Sequence, residues 1–303
     1  MCGRRTKDEG SAGDNIRRSN TRGACRRTGA VWFTAIPKTK AGADMTQNEK
    51  RLFLIEELLA EQPQYENVQI PRGEANRKNL LRSLMNVRRP GGISDGFLVV
   101  QDEYLRAEIA AKGITDLSDL APISDGIYLW QGDITTLRCD AIVNAANSAM
   151  TGCYAPCHCC IDNCIHTYAG VQLRLECARL MEAQGHEEET GKAKITSAYN
   201  LPCKYVLHTV GPIIRDRVTE ADRELLASCY RSCLELACRK GIGSIAFCCV
   251  STGEFRFPND QAAEIAVRTV KAYRAQAGND IEVIFNVFKD VDYKIYRELL
   301  GGN

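Results

Sequence analysis

The segment IYLWQGDITTLRCDAIVNAAN, residues 127–147, opens the pattern from which the fold is predicted. It contains two short apolar runs, IYLWQGDI (127–134) and DAIVNAAN (140–147), and both end in small or polar residues. Short apolar runs bounded by turn residues are typical of buried strands. From here onward such runs alternate with segments of helical periodicity. The sequence therefore predicts a three-layer α/β domain over residues 127–303, with a mixed and largely parallel sheet.

The elements that follow are predicted from the same two patterns. Four more strands are expected at AKITSAY (193–199), YVLHTV (205–210), SIAFCCV (244–250) and EVIFNVF (282–288). Helices are expected between and after them, at about 162–184, 220–241, 259–278 and 290–300. The first is expected to run unbroken from Asp162 to Gln184. The second is expected to end at Gly241, because glycine is typical of helix C-termini.

A purely helical pattern precedes this domain. It begins after Met45 with a helix whose apolar face is expected to hold Leu52, Ile55, Leu58 and Leu59. Two further helices are expected in NRKNLLRSLMNV (76–87) and DGFLVVQDEYLRAEIAAKG (95–113), separated by a turn rich in Pro and Gly. These segments predict a small helical module over residues 45–113, joined to the α/β domain by a linker at 114–126.

The first 44 residues differ from the rest in charge. They hold ten Lys or Arg and four Asp or Glu, a net charge of +6, which leaves −5 for the remainder because the whole chain is +1. Apolar residues are scarce here, so 1–44 is expected to be a disordered basic extension. We expect it to lie upstream of a native start at Met45. Its arginines leave an organelle transit peptide as the alternative, although such peptides avoid the Asp and Glu that it contains.

Composition argues against several classes of function. The acidic body is not the footprint of a nucleic-acid binder, and no apolar run approaches the ~20 residues that a membrane helix needs. The chain holds fifteen cysteines, an odd number, and no secretory signal opens it. Thiols in a reducing compartment are therefore expected rather than disulfides. We expect a cytoplasmic protein without a nucleic-acid or membrane partner.

Three segments fall at predicted strand ends, where α/β sheets bind their ligands. They are GDIT (132–135), NAAN (144–147) and STGEF (251–255). The asparagines of NAAN either hydrogen-bond to ligand hydroxyls or cap a turn. The STGEF loop contains glycine and precedes a predicted helix. Its backbone N–H groups therefore either bind an anion or belong to an ordinary strand–helix turn.

One loop concentrates soft metal ligands. GCYAPCHCCIDNCIH (152–166) holds five cysteines and two histidines. Zinc suits a mixture of thiolate and imidazole, and three ligands without a fourth indicate a site with an open position, so Cys153, His158 and Cys160 are candidates. The alternative is a cluster of reduced thiols, and spacing alone does not choose among cysteines 153, 157, 159 and 160. Asp162 is either a functional carboxylate or a helix N-cap, and His166 is expected in the core.

In their order and spacing, five segments resemble the macrodomain family: GDIT, VNAAN (143–147), CIDNCIH (160–166), HTVGP (208–212) and STGEFRFP (251–258). That family binds ADP-ribose on an α/β/α fold. The GCYAPCHCC insert resembles its zinc-containing branch, in which a G-C-F-x-P-x-H-x-C pattern holds zinc beside the ADP-ribose. Tyr154 replaces the usual Phe. The helical segment ahead also resembles this branch, so the likeness covers about residues 46–300.

The resemblance implies a role for each matching residue. Asp133 and the backbone of Ile134 would hold the adenine, with Phe288 as a further adenine wall. Asn147 would hydrogen-bond to the distal ribose in the catalytic centre, and Asp162 takes the place of the catalytic Asp of hydrolysing macrodomains. The remaining implied contacts are the diphosphate loop of Ser251, Thr252, Gly253 and Glu254, the ribose-packing Phe255, and one zinc on Cys153, His158 and Cys160.

The implied function is the zinc-dependent removal of mono-ADP-ribose from modified proteins. The resemblance also implies a lipoyl-carrier protein as substrate and a sirtuin-type ADP-ribosyltransferase as functional partner. Two alternatives use the same pocket: a non-catalytic reader with a structural zinc, and a deacetylase of O-acetyl-ADP-ribose. Asp162 favours the hydrolase over the reader, because readers often lack a carboxylate at that place.

Overall fold

The structure is a computed structural model that describes residues 45–277 and 281–301. The expected disorder of 1–44 lies outside these residues. Eight helices are described: α1 (Gln47–Ala60), α2 (Glu74–Val87), α3 (Asp95–Lys112), α4 (Ile161–Ala169), α5 (Val171–Gln184), α6 (Glu220–Arg239), α7 (Asn259–Ala277) and α8 (Asp290–Leu300). The described strands are β1 (Thr115–Asp116), β2 (Ile127–Gln131), β3 (Leu137–Arg138), β4 (Ala141–Ala146), β5 (Ala193–Ser197), β6 (Tyr205–Val210), β7 (Ser244–Phe247) and β8 (Glu282–Val287). None of the helices in these ranges is long and apolar enough to cross a bilayer.

The main sheet has six strands in the order β2-β8-β7-β4-β6-β5. All neighbouring pairs are parallel except β5 and β6, which are antiparallel. This confirms the mixed, largely parallel sheet. The carboxyl ends of β2, β8, β7 and β4 consequently lie side by side along one edge, which is where such sheets bind ligands. A separate parallel pair, β1 with β3, places β1 inside the segment predicted as a linker.

Helices cover both faces of the sheet. α6, α7 and α8 contact one another in order and form one layer, while α4 and α5 pack on β4 and β5 from the other side. The central strands are accordingly mostly apolar, and Ile142, Val143, Leu207 and Ile284 are fully buried. A strand that is covered on both faces reads as a continuous apolar run, which is why these strands could be predicted from sequence.

The helical segment has its own apolar core, centred on Leu54, Leu84 and Phe97. The predicted face of α1 is displaced: Leu54, Ile55 and Leu58 are buried, whereas Leu52 and Leu59 are only half-buried. The reason is Arg51, which is buried on this face. Its guanidinium donates to the Tyr104 hydroxyl at 3.0 Å and lies 3.2 Å from the Glu74 carboxylate, so the buried charge is paired.

The helix predicted from Asp162 to Gln184 is wrong as a single element, because it breaks at Gly170 between α4 and α5. Gly170 has φ +100° and ψ 174°, a conformation essentially restricted to glycine. The side-chain carbonyl of Gln101, on α3, accepts a hydrogen bond from the Val171 N–H at 3.0 Å. The start of α5 is therefore satisfied by a residue about 70 positions earlier in the chain.

Candidate active site

A cavity of about 810 Å³ lies at the carboxyl ends of β2, β8, β7 and β4. The thirteen residues that the sequence put forward all line it: Asp133, Ile134, Asn147, Cys153, His158, Cys160, Asp162, Ser251, Thr252, Gly253, Glu254, Phe255 and Phe288. They come from four loops that are far apart in sequence. The parallel sheet brings these loops to one edge, which is why a single cavity can collect them.

Asp133, Ile134 and Phe288 line the β2–β8 end of the cavity. Asp133 accepts hydrogen bonds from the N–H and the hydroxyl of Thr135 at 3.0 and 2.6 Å, and so caps a short 3₁₀ turn. Its second oxygen lies 2.8 Å from Nζ of Lys112, the last residue of α3. The ring of Phe288 is 76 % exposed at the rim, so it is available to cover a flat ligand group.

The loop after β7 turns back on itself and forms a backbone hydrogen bond within the loop. Ser251 and Arg256 have positive φ angles of 67° and 59°, and the Phe257 N–H donates to the Ser251 carbonyl at 3.0 Å. Within the described part of the chain, the N–H groups of Gly253 and Glu254 have no acceptor. Free N–H groups in a loop that leads into a helix, here α7, form a site suited to an anion.

Asp162 lies in the first turn of α4 but does not cap it. The cap is Cys160, whose Sγ accepts a hydrogen bond from the Asn163 N–H at 3.4 Å. The Asp162 carboxylate instead accepts hydrogen bonds from the side-chain amides of Asn144 at 2.8 Å and Asn147 at 3.2 Å. Burial raises the pKa of Asp162 to about 6, although both amides and the charge of Arg174 favour the ionised form.

Behind Asn144 lies a buried histidine to which the sequence analysis assigned no role. His208 Nδ1 is 3.1 Å from the Asn144 amide nitrogen, and Nε2 is 2.9 Å from Thr196 Oγ1. The amide can only donate, so Nδ1 accepts and the proton resides on Nε2. Burial lowers the pKa of His208 to about 3, which keeps the ring neutral. The signal in the sequence is the register of β4 and β6, which pairs Asn144 with His208.

The loop of residues 152–160, here called the metal loop, brings Cys153, His158 and Cys160 together. Their ligand atoms all lie within 4.8 Å of one another, and Cys153 Sγ is 3.6 Å from His158 Nδ1. Zinc–sulfur and zinc–nitrogen bonds of about 2.3 and 2.0 Å at a tetrahedral angle place S and N about 3.5 Å apart, close to the distance observed. The three residues therefore fit a tetrahedral zinc with one position left over.

The other cysteines of this region do not join the cluster. Cys157 Sγ lies 3.2 Å from Ser83 Oγ on α2, and Cys164 Sγ lies 3.6 Å from an Arg82 nitrogen. Cys159 is exposed. His166 is buried in the core beneath Gly152, where an added Cβ would lie 2.7 Å from its ring. Among the candidates that the spacing left open, the distances favour Cys153, His158 and Cys160.

Glu254 contacts the metal loop through its side chain, a contact that the sequence did not indicate. Its carboxylate lies 3.5 Å from Nε2 of His158. A carboxylate at one ring nitrogen favours the proton there and leaves the other nitrogen free to bind a metal. Glu254 consequently favours the tautomer that leaves Nδ1, the atom near Cys153, without a proton.

Comparisons with known proteins identify the family to which this chain is related. The Macro domain family model matches residues 143–266. The Protein-ADP-ribose hydrolase of Treponema medium is 59% identical over 261 residues, which is 85% of this chain and 100% of that protein. The protein of the same name from Staphylococcus aureus (strain MRSA252) is 50% identical over 257 residues, or 84% of this chain and 96% of that one.

Solved structures show the same fold. The Trypanosoma brucei macrodomain in complex with ADP-ribose has a TM-score of 0.57 at 30% identity, covering 73% of this chain and 95% of that one. An Oceanobacillus iheyensis macrodomain mutant with ADPR has a TM-score of 0.54 at 37% identity, covering 60% of this chain and 96% of that one. With the sheet order, the strand-end cavity and relatives that match over most of its length, this chain belongs to the macrodomain family.

Proposed function

We propose that this protein is a zinc-dependent hydrolase that removes mono-ADP-ribose from modified proteins. The observation that carries the proposal is one cavity that combines a loop of free N–H groups, the buried carboxylate of Asp162 and the Cys153–His158–Cys160 cluster. Relatives at 50 and 59% identity bear the name Protein-ADP-ribose hydrolase. An anion site alone would suit a reader, whereas the carboxylate and the metal ligands beside it suit a catalyst.

The order of the strands supports the assignment of the ligand contacts. Asp133, Ile134 and Phe288 lie at the β2–β8 end and would hold the adenine. The loop after β7, from Ser251 to Phe255, comes next and would hold the diphosphate through its backbone, with Phe255 against the distal ribose. Asn147, after β4, lies beyond it beside the metal loop. Adenine, diphosphate and distal ribose follow one another in the same order in ADP-ribose.

Cys153, His158 and Cys160 would hold one zinc. When bound, the metal supplies a Lewis acid beside the distal ribose. The protein's own contribution would be to hold three ligands in the wall of the cavity, and three protein ligands are typical of catalytic zinc sites. Reducing conditions keep the two thiols available as ligands, which is why we place the enzyme in the cytoplasm.

In the proposed reaction, Asp162 orients a water and accepts its proton. The water oxygen bonds to the anomeric carbon of the distal ribose while the bond from that carbon to the protein side chain breaks, and the proton passes to the leaving group. Asn144 and Asn147 hold the carboxylate in place through their hydrogen bonds. Binding of the distant adenine and diphosphate fixes the ribose against these groups.

The test uses wild type and Cys160→Ala, with zinc content, release of ADP-ribose from a mono-ADP-ribosylated protein, and ADP-ribose binding measured together. We expect one zinc per chain in the wild type, and loss of both zinc and turnover in the variant with binding kept within a few-fold. A zinc-free wild type with full turnover would refute the proposal. Binding with no turnover in either protein would make the chain a reader.

The choice of substrate adds a second arm. A lipoyl-carrier protein modified by a sirtuin-type transferase is the substrate that the family resemblance implies, so it is the first modified protein to assay. Faster turnover of O-acetyl-ADP-ribose than of any modified protein would favour the deacetylase.

A further inference from the structure

Helix α2 presents a line of polar groups to the metal loop. They are the side chains of Arg82, Ser83 and Asn86 and the backbone carbonyl of Asn79, and these residues are spaced i, i+3, i+4 and i+7 on one helix face, with Asn79 first. The opposite side of α2 carries the buried Leu81, Leu84 and Met85 of the helical core. We call these four residues the polar stripe. Asn86 is buried and Arg82 and Ser83 are half-buried, so their polar groups need hydrogen-bond partners within the protein.

Arg82 makes the central contacts of the stripe. Its Nη2 donates to the backbone carbonyl of His158 at 2.7 Å and to Oδ1 of Asn163 at 2.9 Å. Asn163 is fully buried, and its amide donates in turn to the carbonyls of Cys153 at 3.3 Å and Ala155 at 3.0 Å. One guanidinium thus fixes the histidine ligand directly and the first cysteine ligand through one intermediate.

The rest of the stripe holds Cys157, which lies between the ligands. Its N–H donates to Asn86 Oδ1 at 2.9 Å. Its Sγ lies 3.2 Å from Ser83 Oγ and donates to the backbone carbonyl of Asn79 at 3.4 Å. Cys157 has a φ of +54°, in the left-handed region that a non-glycine residue adopts only when its surroundings impose it. The stripe provides those surroundings.

Arg174 of α5 closes the same junction from the other side. Its Nη1 donates to the backbone carbonyls of Asn86 at 2.7 Å and Arg88 at 2.6 Å, at the end of α2. Its Nη2 donates to the Cys153 carbonyl at 3.5 Å. The end of α2 and the start of the metal loop therefore share one cation.

We propose that the polar stripe of α2 is the template that holds the metal loop in its ligand geometry, with Arg82 as a positioning residue for His158 and Cys153. The helical segment is then part of the zinc site, and it sets how tightly the zinc is held. This inference rests on the proposed zinc enzyme. It follows from the need of the loop's half-buried backbone groups for hydrogen-bond partners, which an apolar helix face would not supply.

The test compares Arg82→Met with Arg77→Met in the full-length protein. Arg77 is a matched control, because it lies on the same helix and, among the described residues, donates to Pro71 and Asn48 of the helical segment and not to the metal loop. Each protein is loaded with one zinc, and the rate of zinc transfer to a chromophoric chelator is followed. We expect transfer about tenfold faster for Arg82→Met, in line with the loss of groups that orient metal ligands, and no more than a twofold change for Arg77→Met.

Two further readouts separate positioning from general stability. Cobalt loaded in place of zinc should give a shifted ligand-field spectrum in Arg82→Met and an unshifted one in Arg77→Met. Arg82→Lys, which can still donate to the His158 carbonyl, should recover part of the slow transfer. If Arg82→Met does not fold, Ser83→Ala replaces it, with faster transfer again expected.

Equal transfer rates and equal cobalt spectra in wild type and in the stripe variants would overturn the template while leaving the zinc enzyme intact. A wild type that takes up no zinc would overturn the proposed function, and this inference with it.

Discussion

At the scale of single residues, the site depends on how Asp162 is held. The carboxylate is buried, receives two amide hydrogen bonds, and lies two residues from a candidate zinc ligand. Asn144 is itself fixed by the neutral His208 behind it. Each of these groups can be changed without removing a strand or helix, so their contributions are open to measurement.

We expect Asp162→Asn to lower the turnover of a mono-ADP-ribosylated protein by at least ~100-fold, the range typical of a lost general base. The amide has nearly the same shape but accepts protons poorly. ADP-ribose affinity, measured by calorimetry, should stay within a few-fold. Comparable losses of affinity and turnover would instead make Asp162 a binding residue.

Glu254→Ala should weaken zinc binding by up to ~10-fold, because His158 loses the acceptor that fixes its tautomer. Glu254→Gln keeps an acceptor and should retain most of the affinity. Glu235→Ala, on the exposed side of α6, is the control. A competition titration against a chelator measures all three. An Ala variant with wild-type affinity would show that the 3.5 Å contact has no effect on the metal.

At the scale of elements, the structure shows what local sequence can specify. YVLHTV and DVDYKIYRELL were predicted to the residue as β6 and α8, because apolar pattern and flanking turns agree there. The break at Gly170 could not be predicted in the same way, since the group that satisfies the start of α5 is Gln101, on α3. The burial of Arg51 on α1 could not be predicted for the same reason, because its partner Tyr104 lies on α3.

Gly170→Ala should lower the free energy of unfolding by ~3 kcal/mol, because its backbone conformation excludes other residues and the added Cβ would lie 2.6 Å from Oε1 of Gln172 and 2.7 Å from Nε2 of Gln101. Gly185→Ala is the matched control. Gly185 ends α5 with φ +77° but has open space around it, so a loss of only ~1 kcal/mol is expected. Urea unfolding measures both free energies. Equal losses would show that the side chains around Gly170 add nothing to the cost of the substitution.

The pairing of β4 with β6 buries His208, and this burial predicts how the free energy of unfolding depends on pH. His208 is neutral when folded, with a pKa of about 3, against about 6.5 when unfolded. Below pH 6.5 the unfolded chain therefore takes up a proton that the native state does not. The stability present above pH 6.5 is lost as the pH falls toward 3, by ~1.4 kcal/mol per pH unit for this group.

The measurement is urea unfolding between pH 7 and pH 5 for wild type and His208→Gln. All other titrating groups are common to both proteins, so their contributions cancel in the difference. The free energy of unfolding should fall less steeply with falling pH in the variant, by about the slope that one proton contributes. Parallel curves would mean that His208 is already protonated in the native state.

At the scale of the whole molecule, the sheet order explains why the sequence could place the candidate site. Parallel strands deliver their carboxyl ends to one edge, so motifs at strand ends meet whatever their separation in sequence. Two of the contacts that could not be predicted join that edge to the helical segment, Lys112 to Asp133 and Arg82 to the metal loop, and a third, Glu254 to His158, joins two loops of the edge itself. Each depends on how helices or loops dock, which neither pattern nor spacing encodes.

The measurement that tests the central claim most directly is a titration of zinc into metal-free, full-length protein, with the rate of ADP-ribose release from a modified protein as the readout. ADP-ribose binding is checked before zinc is added. We predict a negligible initial rate, a linear rise, and a sharp break at one zinc per chain. Metal-free protein that binds ADP-ribose and already turns over at its full rate would contradict the account.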